Sequence, residues 1–140
     1  KSLNNNANNS LRIAATETHR VTNQARQDSY EHAEDKGLNF LKVWVASLDE
    51  RTRSSHRALD GKKVKPNENF TSPVTGASGP GPGMMGTAAD DINCRCRTIT
   101  EFEGYETEQA FRRARGVDGK NKVIKYKTYE EWYDNRVGGK

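Results

Sequence analysis

Residues 10–37 carry a helical pattern of small and apolar positions. An α-helix repeats every 3.6 residues, so positions spaced by three and four fall on one stripe. The stripe consists of Leu11, Ala14, Thr18, Val21, Ala25, Ser29 and Ala33. We predict a helix that starts at Ser10 as its N-cap and ends by Gly37 as a C-cap glycine. Residues 1–9 are rich in Asn and lack periodicity, which predicts a linker. Because the stripe is narrow and consists of small residues, we expect it to pack closely against another helix.

The segment LNFLKVWVAS, residues 38–47, is the most apolar part of the chain. Its β-branched and aromatic residues favour a strand. Alternation gives it two faces, with Phe40, Trp44 and Ala46 on one and Leu41, Val43 and Val45 on the other. Since both faces are apolar, we predict the central strand of a sheet.

The residues after this strand predict a short helix. Ser47 and Glu50 have the spacing of a capping box, in which their side chains satisfy the first amides of a helix. The helix would end at Gly61 and place on one side Thr52, Ser55, His56 and Leu59.

Residues 62–89 predict a long connection. The stretch TGASGPGPGMMGTAADD contains five Gly and two Pro, the strongest breakers of regular structure. We expect an extended loop with a solvated backbone, preceded by a short strand that ends at Phe70. The loop lacks the Lys-Ser/Thr pair of a phosphate-binding loop, so it does not predict a nucleotide site.

The rest of the chain alternates predicted strands and helices. Residues 92–103, INCRCRTITEFE, predict a strand with both cysteines on one face. Residues 107–116 predict a helix, residues 122–129 a strand, and residues 128–136 an aromatic helix that forms a small core or stacks on bases. The predicted fold class is α+β, with a long N-terminal helix packed on a small mixed sheet, short helices and a long Gly/Pro-rich loop. We place domain boundaries to give a linker (1–9), a main domain (10–100) and a C-terminal extension (101–140).

Composition limits the size of the core. Leu, Ile, Val and Phe make up 22 of the 140 residues, below the ~20% at which a chain has difficulty folding alone. The formal net charge is only +4, so the high charge typical of disordered chains is missing. We expect an ordered protein with a thin core that completes its burial against partners.

No run of apolar residues is long enough to cross a membrane. The start at Lys1 suggests a piece of a longer protein.

Positive charge is concentrated between Lys36 and Lys65, where eight basic residues face three acidic ones. Such clustering suits a polyanion or an acidic protein surface, and it also suits an ordinary solvated face. The candidate contact residues for DNA or a protein partner are Arg51, Arg53, Arg57, Lys62, Lys63 and Lys65.

The two cysteines, Cys94 and Cys96, have three interpretations. With His56 they supply good zinc ligands, and the fourth ligand of a tetrahedral site would come from Asp90, Asp91 or His19. They are also small side chains suited to a buried strand face. A disulfide between them is disfavoured because alternate residues on a strand hold their Cα atoms about 6.5–7 Å apart.

His56 lies among three arginines, which suits either acid–base chemistry on a phosphate or a structural role. A nuclease places a His, an Arg and a carboxylate or metal in one cleft, and the sequence supplies these residue types without a recognisable arrangement. The alternative is that His56 anchors the Gly/Pro loop or the cysteine segment. We assign no catalytic and no cofactor-binding residue, and we expect no enzyme activity.

An ordered set of motifs resembles the phage Mu F-like head morphogenesis proteins, the minor head or minor capsid proteins of tailed phages. The matching positions are Trp44, Asp49, Arg51, Thr52, His56, Gly61, Phe70, Asn93, Cys94, Arg95 and Cys96. A preceding helix is similar to the family's at Thr16, Glu17, Arg20 and Asn23. The resemblance covers roughly residues 10 to 98 and departs from the family at Asp91-Ile92, where His-Pro is common.

The resemblance implies a non-enzymatic virion component. Its expected place is the phage head interior or portal vertex, after assembly in the bacterial cytoplasm. The expected partners are the portal protein and other head proteins, with several copies per virion, DNA as a further contact and no membrane. The implied role is head assembly and DNA packaging or ejection. The resemblance does not imply catalysis. We assign no cofactor, and zinc is considered only because of the cysteine pattern. A metal-dependent or toxin-like nuclease and a zinc-stabilised binding module remain the alternatives.

Overall fold

The computed structural model describes residues 2–104 and 111–137. The α+β fold class is confirmed, with a long N-terminal helix beside three small antiparallel sheets rather than one mixed sheet. In chain order the elements are α1 (Ser2–Asp35), β1 (Phe40–Val45), α2 (Ser54–Arg57), β2 (Lys63–Val64), β3 (Phe70–Thr71), β4 (Ser78–Gly79), α3 (Ala88–Asp91), β5 (Arg97–Phe102), β6 (Phe111–Arg115), β7 (Asn121–Lys125) and α4 (Tyr129–Val137).

Helix α1 starts earlier than the sequence pattern predicts. It begins at Ser2, so the segment before Ser10 is helical and Ser10 lies inside the helix instead of capping it. No Gly or Pro interrupts this stretch, and an Asn in a helix costs at most about 0.7 kcal/mol relative to Ala. The predicted end is confirmed. Gly37 has φ +87°, and the amide of Leu38 donates to the carbonyl of Ala33, which closes the helix in a Schellman motif.

The face of α1 that packs on the rest of the protein is not the small-residue stripe. Along that stripe Leu11, Val21 and Ala25 are exposed. The buried positions are polar or aromatic, namely Asn23, Gln27 and Tyr30. The expected packing of the stripe against another helix therefore does not occur within the described residues.

Strand β1 is the centre of the largest sheet, as predicted. The strand order is β2-β1-β5, and the register pairs Trp44 with Thr98 and Lys42 with both Val64 and Thr100. Five of its six residues are buried, including Lys42, whose side chain is fully enclosed. The main core forms beside β1 and consists of Trp44, Ala46, Leu59, Phe70, Met85, Cys94 and Cys96.

The capping box predicted at Ser47 does not form. The Ser47 hydroxyl donates to the carbonyl oxygen of Arg95, 2.9 Å away, and helix α2 begins only at Ser54. A carboxylate oxygen of Asp49 instead accepts from the amide of Arg51, which makes a turn before the helix. The residues predicted to share one side of this helix are nevertheless all buried, namely Thr52, Ser55, His56 and Leu59.

The Gly/Pro-rich connection is packed into the protein rather than solvated. Gly79, Pro82 and Gly83 are buried. A Cβ atom at Gly79 would lie 2.0 Å from the carbonyl oxygen of Met84, so only glycine allows this close backbone approach. The glycines thus allow close packing of the backbone here, in addition to forming turns.

The cysteines lie before a strand and not within it. Strand β5 begins at Arg97, and Asn93 adopts φ 55°, a left-handed conformation that Asn tolerates. This bend ends the extended pattern that residues 92–96 suggest.

The C-terminal segment forms a hairpin followed by a helix. The helix predicted for residues 107–116 is wrong for Phe111–Arg115, which is strand β6, while residues 107–110 lie outside the described part. The turn at Gly119, with φ 74°, brings β7 back along β6, and this pairing overrides the helix propensity of the arginines. The predicted strand β7, helix α4 and aromatic core are confirmed, and that second core consists of Leu48, Ala114, Tyr129 and Trp132.

A buried ion pair joins the C-terminal segment to the main domain. The side chains of Arg112 and Asp60 are 3% and 1% exposed, with 3.1 Å between Nη2 and Oδ1. Asp60 also accepts hydrogen bonds from the amides of Ala46 and Tyr129. No helix among the described residues has the length and apolar content needed to cross a bilayer.

Candidate functional site

His56 and the two cysteines meet at one point in the main core. The Nδ1 atom of His56 lies 3.3 Å from the sulfur of Cys96 and 3.8 Å from the sulfur of Cys94. All three side chains are buried, and their ligand atoms lie within 4.8 Å of one another. The ring of Trp44 packs edge-on against the imidazole at 5.5 Å between centroids. The fold thus brings His56 against two cysteines that lie 38 and 40 positions further along the chain, as the metal interpretation requires.

The segment before the cysteines is fixed by Asp91. Its carboxylate accepts hydrogen bonds from the backbone amides of Met85 and Gly86, and its carbonyl accepts from the amide of Cys94. These contacts tie the end of the Gly/Pro connection to the cysteine segment. Both cysteines are free thiols, so the disulfide interpretation is not realised.

A buried carboxylate stands behind the imidazole. The Nε2 atom of His56 lies 3.7 Å from Oδ1 of Asp90 and has no hydrogen-bond partner within the described residues. Asp90 accepts hydrogen bonds from the hydroxyls of Ser55, Thr75 and Thr87. Burial opposes ionisation of Asp90, but these hydrogen bonds outweigh it and hold the pKa of the carboxyl below its usual value. The imidazole therefore has an anion on the side away from the sulfurs.

The pKa values of the two thiols are shifted in opposite directions. A hydrogen bond from Cys96, followed by those from His19 and His56, lowers the pKa of Cys94 against the effect of burial. The hydrogen bond to Cys94 and burial both raise the pKa of Cys96.

His19 is a fourth candidate ligand, and it lies on helix α1. It is half-buried and lies with Cys94 in the lining of an open cavity of about 640 Å³. Its Nε2 atom lies 3.0 Å from the side-chain nitrogen of Asn23. Three of the candidate ligands are thus enclosed, and the fourth approaches from the side of the cavity.

The buried position of His56 bears on the nuclease alternative. His56 is 2% exposed, so a phosphate backbone cannot reach its ring without opening the main core. His56 does contact the cysteine segment, which agrees with the anchoring role considered from the sequence.

Two of the six candidate contact cations have internal roles. Arg53 donates to the backbone carbonyls of Ala89 and Ile92, and thereby binds α3 to the turn before α2. Arg57 donates to the carbonyl of Thr52 at 2.6 Å, and its guanidinium lies over the ring of Tyr129 at 4.8 Å. These arginines hold the fold together.

The other four candidate cations are at the surface. Lys63 forms an ion pair with Glu101 at 2.6 Å between Nζ and Oε1. Arg51, Lys62 and Lys65 are exposed, and their side chains make no hydrogen bond or ion pair with any residue that the structure describes. Contact of these six cations with DNA or a protein partner therefore remains a prediction. Two of the six make internal contacts, and four lie at the surface.

The sequence analysis missed a second group of cations. Arg97 and Arg113 are exposed and line, with the exposed Phe111 and Val123, an open cleft of about 450 Å³. Arg97 lies opposite Val45 on the main sheet, while Arg113 lies on the C-terminal hairpin. Only the packing of the hairpin brings them together, so spacing along the chain gave no signal.

Comparisons with known proteins identify the family of this chain. The chain belongs to the family described as Phage Mu protein F like protein, which matches residues 3–99 and so contains the whole cluster. Minor head protein GP7 of Bacillus phage SPP1 is 48% identical over 119 residues, 85% of this chain and 37% of that protein. NAD(+)--arginine ADP-ribosyltransferase EFV of Enterococcus faecalis (strain ATCC 700802 / V583) is 40% identical over 127 residues, 91% of this chain and 25% of that protein. The chain thus spans between a quarter and two fifths of these relatives. No solved structure matches it significantly.

Proposed function

We propose that this chain is a structural module of a minor head protein in a tailed-phage virion. The observation that carries the proposal is the family match over residues 3–99, together with 48% identity to a protein named as a minor head protein. The thin core and the exposed apolar side chains on α1 support a protein whose burial is completed by neighbouring subunits.

The relative named as an ADP-ribosyltransferase is compatible with this proposal. The similar region makes up 25% of that protein, which leaves three quarters of its length for a separate activity. In the chain itself, the histidine of the candidate cluster is enclosed in the main core. A structural module shared by two longer proteins accounts for both relatives, and we assign no enzyme activity to it.

The module belongs, in this proposal, near the portal vertex, bound to the portal protein and other head proteins in several copies. There it assists head assembly and DNA packaging or ejection. The exposed Arg51, Lys62 and Lys65 supply positive charge suited to DNA or to an acidic portal face. Arg97 and Arg113 supply a second group of cations.

Co-sedimentation with phage heads tests the location. The protein that contains this chain would be produced with the head proteins of its phage, once with and once without the portal protein. We expect it to sediment with portal-containing heads in several copies and to remain soluble without the portal. Equal incorporation into both kinds of head would overturn the portal assignment, and absence from both would overturn the head assignment.

DNA binding tests the role of these cations. In a triple variant with Arg51, Lys62 and Lys65 changed to Gln, we expect weaker binding to double-stranded DNA and a salt slope reduced by about 0.9 per lost phosphate contact. A second variant, in which Arg97 and Arg113 are changed to Gln, tests the second group of cations separately. Unchanged affinity and slope in both variants would remove DNA as a partner and leave the portal face.

A further inference from the structure

We propose that Cys94, Cys96, His56 and His19 bind one Zn²⁺ ion. Thiolate and imidazole are the side chains that zinc prefers in structural sites, which are tetrahedral with four protein ligands. Among the described residues, one group of three potential ligand side chains lies close together, and it consists of His56 and the two cysteines. The proposal does not depend on the role of the protein in a phage head.

The spacing of the three enclosed ligand atoms fits a tetrahedral ion. Bonds of about 2.3 Å to sulfur and 2.05 Å to nitrogen, at tetrahedral angles, separate a nitrogen and a sulfur ligand by about 3.5 Å. The Nδ1 atom of His56 lies 3.3 Å and 3.8 Å from the two sulfurs. An ion therefore fits between these atoms with only small side-chain shifts.

The choice of the fourth ligand follows from the contacts of the three candidates. Asp90 lies against Nε2 of His56, the nitrogen that points away from the sulfurs. The carboxylate of Asp91 already accepts the amides of Met85 and Gly86. His19 is the remaining candidate, because it lines the same open cavity as Cys94. Its Nε2 atom faces the side chain of Asn23, so Nδ1 would be the ligand atom.

Asp90 has the position of an orienting partner. Imidazoles that bind a metal through one nitrogen commonly face a carboxylate with the other, which fixes the ring and raises its basicity. The Nε2 atom of His56 is buried without a hydrogen-bond partner in the described structure and lies 3.7 Å from the fully buried Asp90. A slight movement of the ring on binding would complete this hydrogen bond.

The ion would connect three parts of the fold. His19 lies on α1, His56 on α2, and the cysteines between α3 and β5. Helix α1 otherwise packs through Asn23, Gln27 and the single aromatic ring of Tyr30, and the apolar content of the chain is low. A site of this kind stabilises a small core in the way that structural zinc does in other small domains.

Metal analysis and thermal unfolding test the site in the 140-residue chain. The protein would be purified under reducing conditions from zinc-supplemented medium, and zinc measured by elemental analysis. We expect one zinc per chain. Removing zinc with a chelator should lower the midpoint of thermal unfolding by on the order of 10 °C, and adding it back should restore the midpoint. Replacement by Co²⁺ should give the absorption of a tetrahedral thiolate-bound cobalt ion.

Histidine variants separate the fourth ligand from the rest. His19 is half-buried on α1, so His19→Ala should keep the fold while weakening zinc binding at least about tenfold and changing the cobalt spectrum. His32→Ala is the matched control, because His32 is an exposed histidine on the same helix. Cys96→Ser, checked for folding by circular dichroism, should abolish binding.

Two results would overturn the proposal. A wild-type chain without near-stoichiometric zinc and without a zinc-dependent rise in its unfolding midpoint would exclude the site. Equal zinc affinity in wild type, His19→Ala and His32→Ala would overturn the four-ligand assignment.

Discussion

The two faces of helix α1 invert the usual arrangement of an amphipathic helix. The face against the protein buries Asn23, Gln27 and Tyr30. The opposite face exposes Leu11 and Val21, which are 69% and 55% accessible. A helix normally buries its apolar stripe because removal of apolar surface from water is favourable. Here directed hydrogen bonds hold the helix in place, and its apolar residues remain available to another chain.

Gln27 is the centre of the inner contact. Its Nε2 atom donates to the carbonyl of Pro66 at 2.7 Å, and its Oε1 atom accepts from the ammonium of Lys42 at 3.0 Å. Lys42 also donates to the carbonyl of Pro80 at 2.8 Å. The side chains of Gln27 and Lys42 together thus link α1, the central strand and two points of the long connection, Pro66 and Pro80. Each of these hydrogen bonds requires a specific geometry.

The largest expected effect comes from breaking this inner contact. Gln27→Leu leaves the ammonium of Lys42 and the carbonyl of Pro66 with one partner fewer inside the protein, so the free energy of unfolding should fall by about 3 kcal/mol. Gln24→Leu is the control, since the side chain of Gln24 bonds, among the residues that the structure describes, only to Asp28 at the helix surface. Urea unfolding measures both. Similar losses of unfolding free energy in the two variants would show that the hydrogen bonds of Gln27 stabilise the protein no more than a hydrogen bond at the helix surface.

A smaller effect is expected from pH through Lys42. Burial lowers the pKa of Lys42 to about 8, against the opposing charges of Glu31, Glu34 and Glu68. Between about pH 8 and 10.4 the unfolded chain keeps a proton that the folded chain has lost, so stability rises with pH in this window. Below pH 8 the full penalty for charging the buried amine remains.

Comparison with Lys42→Met isolates this contribution from tyrosines and thiols that titrate in the same range. Relative to the variant, wild type should gain roughly 1–2 kcal/mol between pH 8 and 10, after allowance for solvent screening. Urea unfolding at several pH values measures the difference. Parallel profiles for the two proteins would mean that the folded protein holds Lys42 at its ordinary pKa.

The smallest effect on stability is expected on the outer face. Leu11→Ser and Val21→Ser should each change the free energy of unfolding of the isolated chain by less than about 0.5 kcal/mol, because both side chains are already in water. The same variants should reduce incorporation into heads if this face contacts another subunit. A loss above 1 kcal/mol, together with a lower sedimentation coefficient, would instead reveal self-association through α1.

The local patterns predicted elements well where burial follows hydrophobicity. Strand β1, the end of α1 at Gly37, and helix α4 with its aromatic core were all predictable, because apolar spacing and glycine geometry act over a few residues. The buried face of α1 was not, because Asn23 and Gln27 are buried only through partners such as Lys42 and Pro66. Strand β6 was missed because the turn at Gly119 and pairing with β7 outweigh the helix propensity of its arginines.

The candidate cluster was predictable in its chemistry but not in its geometry. Cys94, Cys96 and His56 stood out because thiols and imidazoles are rare in this chain and suit one ion. The surroundings of the cluster depend on contacts between distant segments. Asp90 behind His56 and His19 beside Cys94 are brought there by packing, with no spacing rule to identify them.

The sequence by itself determined the family, the α+β class, the central strand and the side chains that meet at the cluster. These follow from short-range properties, namely motif order, periodicity and the chemistry of individual residues. Only the tertiary structure decided which face of α1 is buried, which arginines are internal and how His56 and the two cysteines converge. Those outcomes depend on hydrogen bonds between segments far apart in the chain, and a polar side chain becomes a buried contact only when the fold supplies its partner.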